Sequence, residues 1–173
     1  RDEYCYDELG NLEKKTRYDI HGDVIIWYEY SYNEQGLVSA IAKYSDEGLW
    51  HRWEYEYDEM GNHLCDLYYT DEDEEHPARV TNLIEYRYDD KGNLIGEYLQ
   101  SVNPEGERNQ MAKKEYIYNE QDQLITKLVL AVDAQSEMTT NYEYDDAGNL
   151  ISEVQSNGEN IEYSYENNQL ICV

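Results

Sequence analysis

Residues 84–95 read IEYRYDDKGNLI, and the reading of this stretch decides the fold. In an extended chain side chains alternate between faces, so Tyr86 and Tyr88 share one face and Arg87 takes the other. Asp89 suits the first position of a type I turn. Gly92, three residues on, suits the left-handed backbone that closes such a turn with a bulge. Leu94 then opens a returning strand. The stretch is a hairpin with one aromatic face.

The phrase returns along the chain as YCYDELGNL, YSYNEQGLV, YEYDEMGNHL, YIYNEQDQLI, YEYDDAGNLI and YSYENNQLI. Its second tyrosine falls at Tyr6, Tyr32, Tyr57, Tyr88, Tyr118, Tyr144 and Tyr165, with spacings of 26, 25, 31, 30, 26 and 21. Such self-similarity marks a repeat architecture. Gly10, Gly36, Gly61, Gly92 and Gly148 fill the turn position. Asp122 stands there in the fifth unit and is expected at positive φ. The seventh unit is one residue shorter, and Asn167 and Asn168 are expected to make a two-residue turn.

The returning strands are expected to open at Leu12, Leu37, Leu64, Leu94, Leu124, Leu150 and Leu170. Looser turns, at 19–23, 45–48, 71–77, 103–106, 133–136 and 156–159, absorb the variable spacing. The expected fold is all-β: a single repeat domain over residues 1–173, an antiparallel meander of about 14 strands, curled into an open spiral or barrel-like sheet. One hairpin cannot bury its own tyrosine face, so neighbours complete it.

Composition narrows the function. The chain has 39 acidic residues against 13 Lys plus Arg, a net charge of -26, with 20 Tyr, 3 Trp and no Phe. Low hydropathy with high charge ordinarily signals disorder. Tyrosine reverses that, because it scores as polar yet buries a large ring and favours strands. The acidity argues against nucleic acid, which needs clustered bases, and against anionic membrane surfaces. A membrane barrel would need an apolar outer band, and neither face of these strands supplies one. No apolar stretch is long enough for a helical membrane span.

Chemistry-bearing patterns are sparse. His21, His51, His63 and His76 are scattered without metal-ligand spacing, so no metal site is expected. The carboxylate run from Asp71 to Glu75 lacks the spaced ligands and pivotal glycine of a calcium loop. Cys5, Cys65 and Cys172 form no pair motif and read as free thiols in strands. No nucleophile elbow or phosphate-cradling loop is present. No catalytic residue and no cofactor are expected. The aromatic side chains remain: Trp53, Tyr55 and Tyr57 alternate on one face, while Trp27 and Trp50 take the opposite parity. Trp27, Trp50, Trp53 and Tyr55 are therefore the candidate ligand-binding residues, for a sugar or an apolar ligand.

The phrase Tyr86-Arg87-Tyr88-Asp89-Asp90-Lys91-Gly92-Asn93-Leu94 resembles the tyrosine–aspartate (YD, or RHS) repeat, and seven imperfect copies span essentially the whole chain. The family includes bacterial polymorphic toxins, wall-associated proteins and teneurins, where the repeats wind into a β-strand shell. A weaker likeness is to small secreted bacterial tyrosine-rich meanders of porin-like fold. The family commonly carries Arg after the turn glycine; here Asn11, Asn62, Asn93 and Asn149 stand there.

The resemblance implies a non-catalytic exported module, secreted or at the cell surface, that presents a rigid acidic surface to a protein partner. The chain opens inside a repeat at Arg1, so a leader, if there was one, is expected to have been removed. A carbohydrate-binding module, with a glycan as partner, is the second expectation.

Overall fold

The turn residues organise the chain. At the first turn the Gly10 N–H donates to the Asp7 carbonyl (3.1 Å), and the Asp7 N–H donates across the turn to the Asn11 carbonyl (2.9 Å). The same two bonds close the turns that begin at Asn33, Asp58, Asp89, Asn119 and Asp145. Gly92 takes φ 89° at the last turn residue, and Asp122 adopts φ 60° in its place in the fifth repeat, as expected from the sequence. That conformation is open to Gly and tolerable to Asp, which few other residues match.

The structure, a computed structural model, describes residues 1–70, 78–132, 134–166 and 169–172. The carboxylate run 71–75, His76, Asp133 and the expected Asn167–Asn168 turn lie outside the described residues. All regular elements among the described residues are strands. The first three hairpins comprise β1 (Asp2–Tyr6) with β2 (Leu12–Tyr18), β3 (Val24–Tyr32) with β4 (Val38–Ser45), and β5 (Gly48–Tyr57) with β6 (His63–Tyr69). Then come β7 (Val80–Tyr88), β8 (Leu94–Val102), β9 (Arg108–Tyr118), β10 (Leu124–Ala131), β11 (Ser136–Tyr144) and β12 (Leu150–Gln155). The chain closes with β13 (Asn160–Glu162), β14 (Ser164–Glu166) and β15 (Gln169–Cys172).

Strands β1 to β13 form one antiparallel sheet in sequence order, and β14 and β15 form a second, two-stranded sheet. The larger sheet is open rather than closed into a barrel, because β1 and β13 are its two edges. Among the described residues the expected count of 14 becomes 15 at Tyr163, which divides one expected strand into β13 and β14. The described residues cluster into two compact units, Arg1–Glu85 with Gln100–Asn109, and Tyr86–Leu99 with Gln110–Val173.

Two register details correct the sequence reading. The returning strands of the second and third repeats open at Val38 and His63, not at Leu37 and Leu64, since Tyr32 pairs Val38 and Tyr57 pairs His63 as Tyr6 pairs Leu12. A bulge next to the second tyrosine of these hairpins consumes one residue, so its partner is always the second residue after the glycine. The leucine pattern in those two repeats is displaced by one. Secondly, the turns at 19–23, 103–107 and 155–159 are not looser: Asp19, Asn103 and Gln155 donate across to Asp23, Glu107 and Glu159 at 2.8–3.0 Å, as in the phrase turns.

The core is thin. Among the described residues Leu83 is the one buried apolar side chain, with Asp66 and Thr140 the buried polar ones. Leu83 pairs with Leu67 on the face away from the tyrosines. The tyrosines of the inner repeats, such as Tyr30, Tyr32, Tyr55 and Tyr57, are half-buried rather than sealed.

Candidate functional site

In four turns one carboxylate anchors the whole loop. Asp58 Oδ1 accepts from the N–H groups of Met60 (2.9 Å) and Asn62 (2.8 Å), while its Oδ2 accepts from the Asn62 side-chain amide (2.8 Å). Asp7, Asp89 and Asp145 repeat this with Asn11, Asn93 and Asn149. The asparagine after each of these turn glycines therefore completes a carboxylate clamp. These donors, the asparagine amide first, hold all four aspartates below the usual carboxylate range.

The next residue in each turn is different in kind. Glu8, Glu34 and Glu59 in the first unit, and Asp90, Glu120 and Asp146 in the second, are all exposed acids. Type I turns accept most residues there, so turn chemistry does not require an acid at that position. Adjacent turns also touch. The Gln35 side chain donates to the carbonyls of Asp58 (3.2 Å) and Glu59 (3.0 Å), Lys91 pairs with Asp122 (2.6 Å), and Gln123 reaches the Gly148 carbonyl (3.4 Å). Each unit thus carries an edge of linked turns that presents one carboxylate per repeat.

The tyrosine face is satisfied by its neighbours. The hydroxyls of Tyr32, Tyr57, Tyr118 and Tyr144 donate to the carbonyls of Leu12, Val38, Leu94 and Leu124, one repeat back, at 2.9–3.0 Å. Tyr116 donates to Glu97 (2.5 Å) and Tyr163 to Glu153 (2.6 Å). Burial is the first cause that raises the phenol pKa values of Tyr57, Tyr116, Tyr118 and Tyr144. Tyr55 is pushed up to about 12, by loss of water first and by the Asp66 charge second.

The candidate aromatic residues do not assemble into one platform. Trp27 lies flat on Tyr44 (5.1 Å, 8°), under the Lys14 ammonium (5.2 Å), and donates to Glu29 (3.1 Å). Trp50 occupies the bulge between the Lys43–His51 and Tyr44–Leu49 pairs, which breaks the parity inferred from sequence. Its ring sits 3.8 Å from Lys43 Nζ and stacks on His51 (5.2 Å); His51 in turn leans on Trp53 (5.7 Å). Lys43 pairs with Tyr28 and belongs to the tyrosine face, so Trp50 reaches that face while Trp27 stays on the other. A shallow depression of about 530 Å3 beside Trp50 is lined by Ser45, Asp46, Glu47 and Leu49, with no second ring.

One cluster lacked any signal in the spacing. His63 occupies the leucine position of the third repeat and stacks on Tyr57 (5.0 Å, 19°), with Tyr55 tilted beside it (5.7 Å). Its Nε2 lies 2.7 Å from Asp66 Oδ1, and Asp66 is 7% exposed. An aligned comparison of the repeats would have exposed it, since no other repeat carries a histidine there. Among the described residues no group of three or more His, Cys, Asp or Glu could hold a metal ion. The three cysteines, in β1, β6 and β15, form no disulfide, and burial raises the Cys65 thiol to about 11.

Fold and site define a class: an all-β, repeat-built antiparallel meander whose polar groups stabilise the repeat itself. No family model matches the chain, and no curated protein does. Solved structures do. The TcdB2–TccC3–Cdc42 crystal structure matches at TM-score 0.56 and 18% identity, over 84% of this chain and 9% of that one. A DUF3836 family protein from Bacteroides vulgatus is 14% identical over 60% of this chain and 96% of its own, with TM-score 0.34. A porin-like protein from Bacteroides uniformis is 10% identical over 97% and 84%, with TM-score 0.43. The first of these shows a shared fold, and this chain spans under a tenth of that protein's length.

Proposed function

We propose that this protein is a non-catalytic, exported structural and interaction module that meets a basic protein surface through its turn edges. The observation that carries this reading is the row of exposed acids, Glu8, Glu34, Glu59, Asp90, Glu120 and Asp146, at one turn position that no turn requires to be acidic. The polar groups beside them are consumed by the architecture: turn aspartates by asparagines and N–H groups, tyrosine hydroxyls by neighbouring carbonyls. The fold likeness to TcdB2–TccC3 fits the YD-repeat resemblance, and with it an exported scaffold.

A sugar platform draws less support. The Trp27 and Trp50 rings each already carry a stacked ring and a lysine ammonium, so part of their surface is taken by internal contacts. The test is a variant in which the six acids become Gln or Asn, assayed beside the parent against a panel of basic proteins and a glycan array. The expected result is salt-sensitive protein binding that the variant loses while it melts as the parent does. Glycan binding that vanishes on Trp50→Ala would overturn the reading.

A further inference from the structure

Beside the turns, the sheet face opposite the tyrosine pairs is mostly polar in the first compact unit and mostly apolar in the second. Ile125 and Ile151 are the bulge residues that their partner strands skip, since Leu124 and Thr126 pair with Tyr118 and Ile117, and Leu150 and Ser152 with Tyr144 and Glu143. Ile95 holds the same place, three residues after its turn glycine. Alternation turns these three, and Ile117 between Tyr116 and Tyr118, away from the tyrosine face. Ile95 and Ile117 are 36% and 55% exposed, and Ile125 and Ile151 are half-buried. In the first unit the bulge position holds Glu13, Ser39 and Leu64, and the place of Ile117 holds Cys5, Ser31 and Glu56. Both units make the same bulged hairpin, so its geometry does not call for isoleucine.

We propose that this row seats a basic amphipathic helix of a protein partner. Strands β8 to β12 are successive neighbours in the sheet, so the isoleucines form one line along the turn edge. Apolar side chains scattered singly are ordinary, but a line of them with a polar rim marks an interaction surface. Two shallow depressions run along it. One, of about 550 Å3, is lined by Ile95, Ile117, Tyr98 and Asp122; the other, of about 830 Å3, by Ile125, Ile151, Gln121 and Asp146.

Spacing selects a helix, and charge selects its sign. Neighbouring strands lie about 4.8 Å apart, so the line from Ile95 to Ile151 is about 19 Å long and successive turn acids stand about 9.6 Å apart. An α-helix covers that line in about 13 residues and returns to one side every seven, about 10.5 Å on. Bases one heptad apart therefore meet Asp90, Glu120 and Asp146 in turn, while the helix lays its apolar stripe on the isoleucines. A strand shows one face about every 6.7 Å and falls out of step. Glu143, exposed on β11, adds a further acid between Ile125 and Ile151. Lys91, the one base on these three turns, is already paired with Asp122 (2.6 Å).

The inference rests on the turn-edge reading and names the form of its basic partner. The experiment titrates the whole chain into a labelled synthetic peptide of about 14 residues, two heptads with leucine at a and d and lysine at e, and reads fluorescence anisotropy at about 0.15 M salt. A scrambled peptide keeps the composition and charge but loses the stripe. One short helix makes a contact below the standard interface size, so a Kd on the order of 10 µM is expected. The scrambled peptide should bind at least tenfold more weakly.

Ile95→Thr with Ile117→Thr keeps strand-forming residues at both places and should weaken the ordered peptide about tenfold. If that double variant melts below the parent, Ile117→Thr alone decides, with about a threefold loss expected. Leu64→Thr, at the 37% exposed bulge residue of the first unit, should leave binding unchanged. Equal binding of the ordered and scrambled peptides, or binding indifferent to the isoleucines, overturns the helix seat and leaves the acid edge standing. So does a dimer of this chain that Ile117→Thr dissolves, since a second copy then covers the row. Failure of both peptides to bind overturns the seat and the acid edge together.

Discussion

The ends of the hairpins and the faces between them are held by opposite chemistry. At the end of the third hairpin Asp58 is held ionised by N–H donors and the Asn62 amide. On the strand that leads into that turn, Tyr55 is held neutral by burial and by the Asp66 charge. The turn edge needs its acids charged, and the tyrosine face needs its acids protonated. A sheet made this way has a stable window bounded on both sides by titration.

Base breaks the face first. Tyr30, Tyr55, Tyr57, Tyr118, Tyr142 and Tyr144 all have raised phenol pKa values, burial being the first cause in each. A phenol raised above its unfolded value of about 10 contributes stability below that pH and loses it as pH rises through the folded value. The expectation is cooperative unfolding between about pH 10 and 12, with tyrosinate absorbance and loss of strand circular dichroism rising together. Stepwise ionisation of a sheet that stays folded would refute the coupling.

Acid breaks the turns. The clamp aspartates have folded values below an unfolded value of about 3.9, so their contribution is full above it and is lost as pH falls through those lowered folded values. Tm should hold above pH 5 and fall steeply below pH 4. In Asp89→Asn with Asp145→Asn, thermal melts should show a lower plateau and a shallower acid slope, because those two turns then resemble the Asn119 turn.

Two glycines separate space from torsion. A Cβ on Gly96 would lie 2.6 Å from the Tyr98 ring, and Arg87 sits over that ring at 4.3 Å. Gly96→Ala should cost about 2 kcal/mol in urea melts. Gly92 has φ 89° and open space around it, so Gly92→Ala should cost about 1 kcal/mol through its backbone alone. Next in size, Tyr57→Phe deprives the Val38 carbonyl of its donor and should cost about 1 kcal/mol. Smallest is Asp122→Gly, which relieves the turn torsion but breaks the Lys91 pair; a net change within about 0.5 kcal/mol is expected.

The hairpins were legible because each is specified locally, by Tyr-x-Tyr alternation and a turn whose residues act within five positions. Asp122 was legible for the same reason, since the alignment left it where glycine belongs. Bulge-dependent features were not. The position of Trp50 depends on which residue a second strand skips, and the openings at Val38 and His63 depend on pairing rather than on leucine. Gln135 takes φ 48° in a turn with no glycine to announce it. The turns at Asp19 and Asn103 looked loose because neither follows a full Tyr-x-Tyr pair, Thr16 standing two residues before Tyr18 and no tyrosine standing at either place before Asn103. The exposed turn acids were in view throughout, yet nothing in a single copy separates an acid that anchors a turn from one that does not.

The hydroxyls of Tyr32, Tyr57, Tyr118 and Tyr144 each reach one repeat back, and this has a consequence for how the gene can change. A duplicated phrase of about 25 residues brings with it both a donor for the copy before and an acceptor for the copy after. It can enter the array without any compensating mutation. Loss of one codon inside a strand instead turns every later side chain of that strand to the wrong face. Unequal recombination between like phrases is therefore the genetic accident this chain absorbs most readily, and a single in-frame deletion the one it tolerates least.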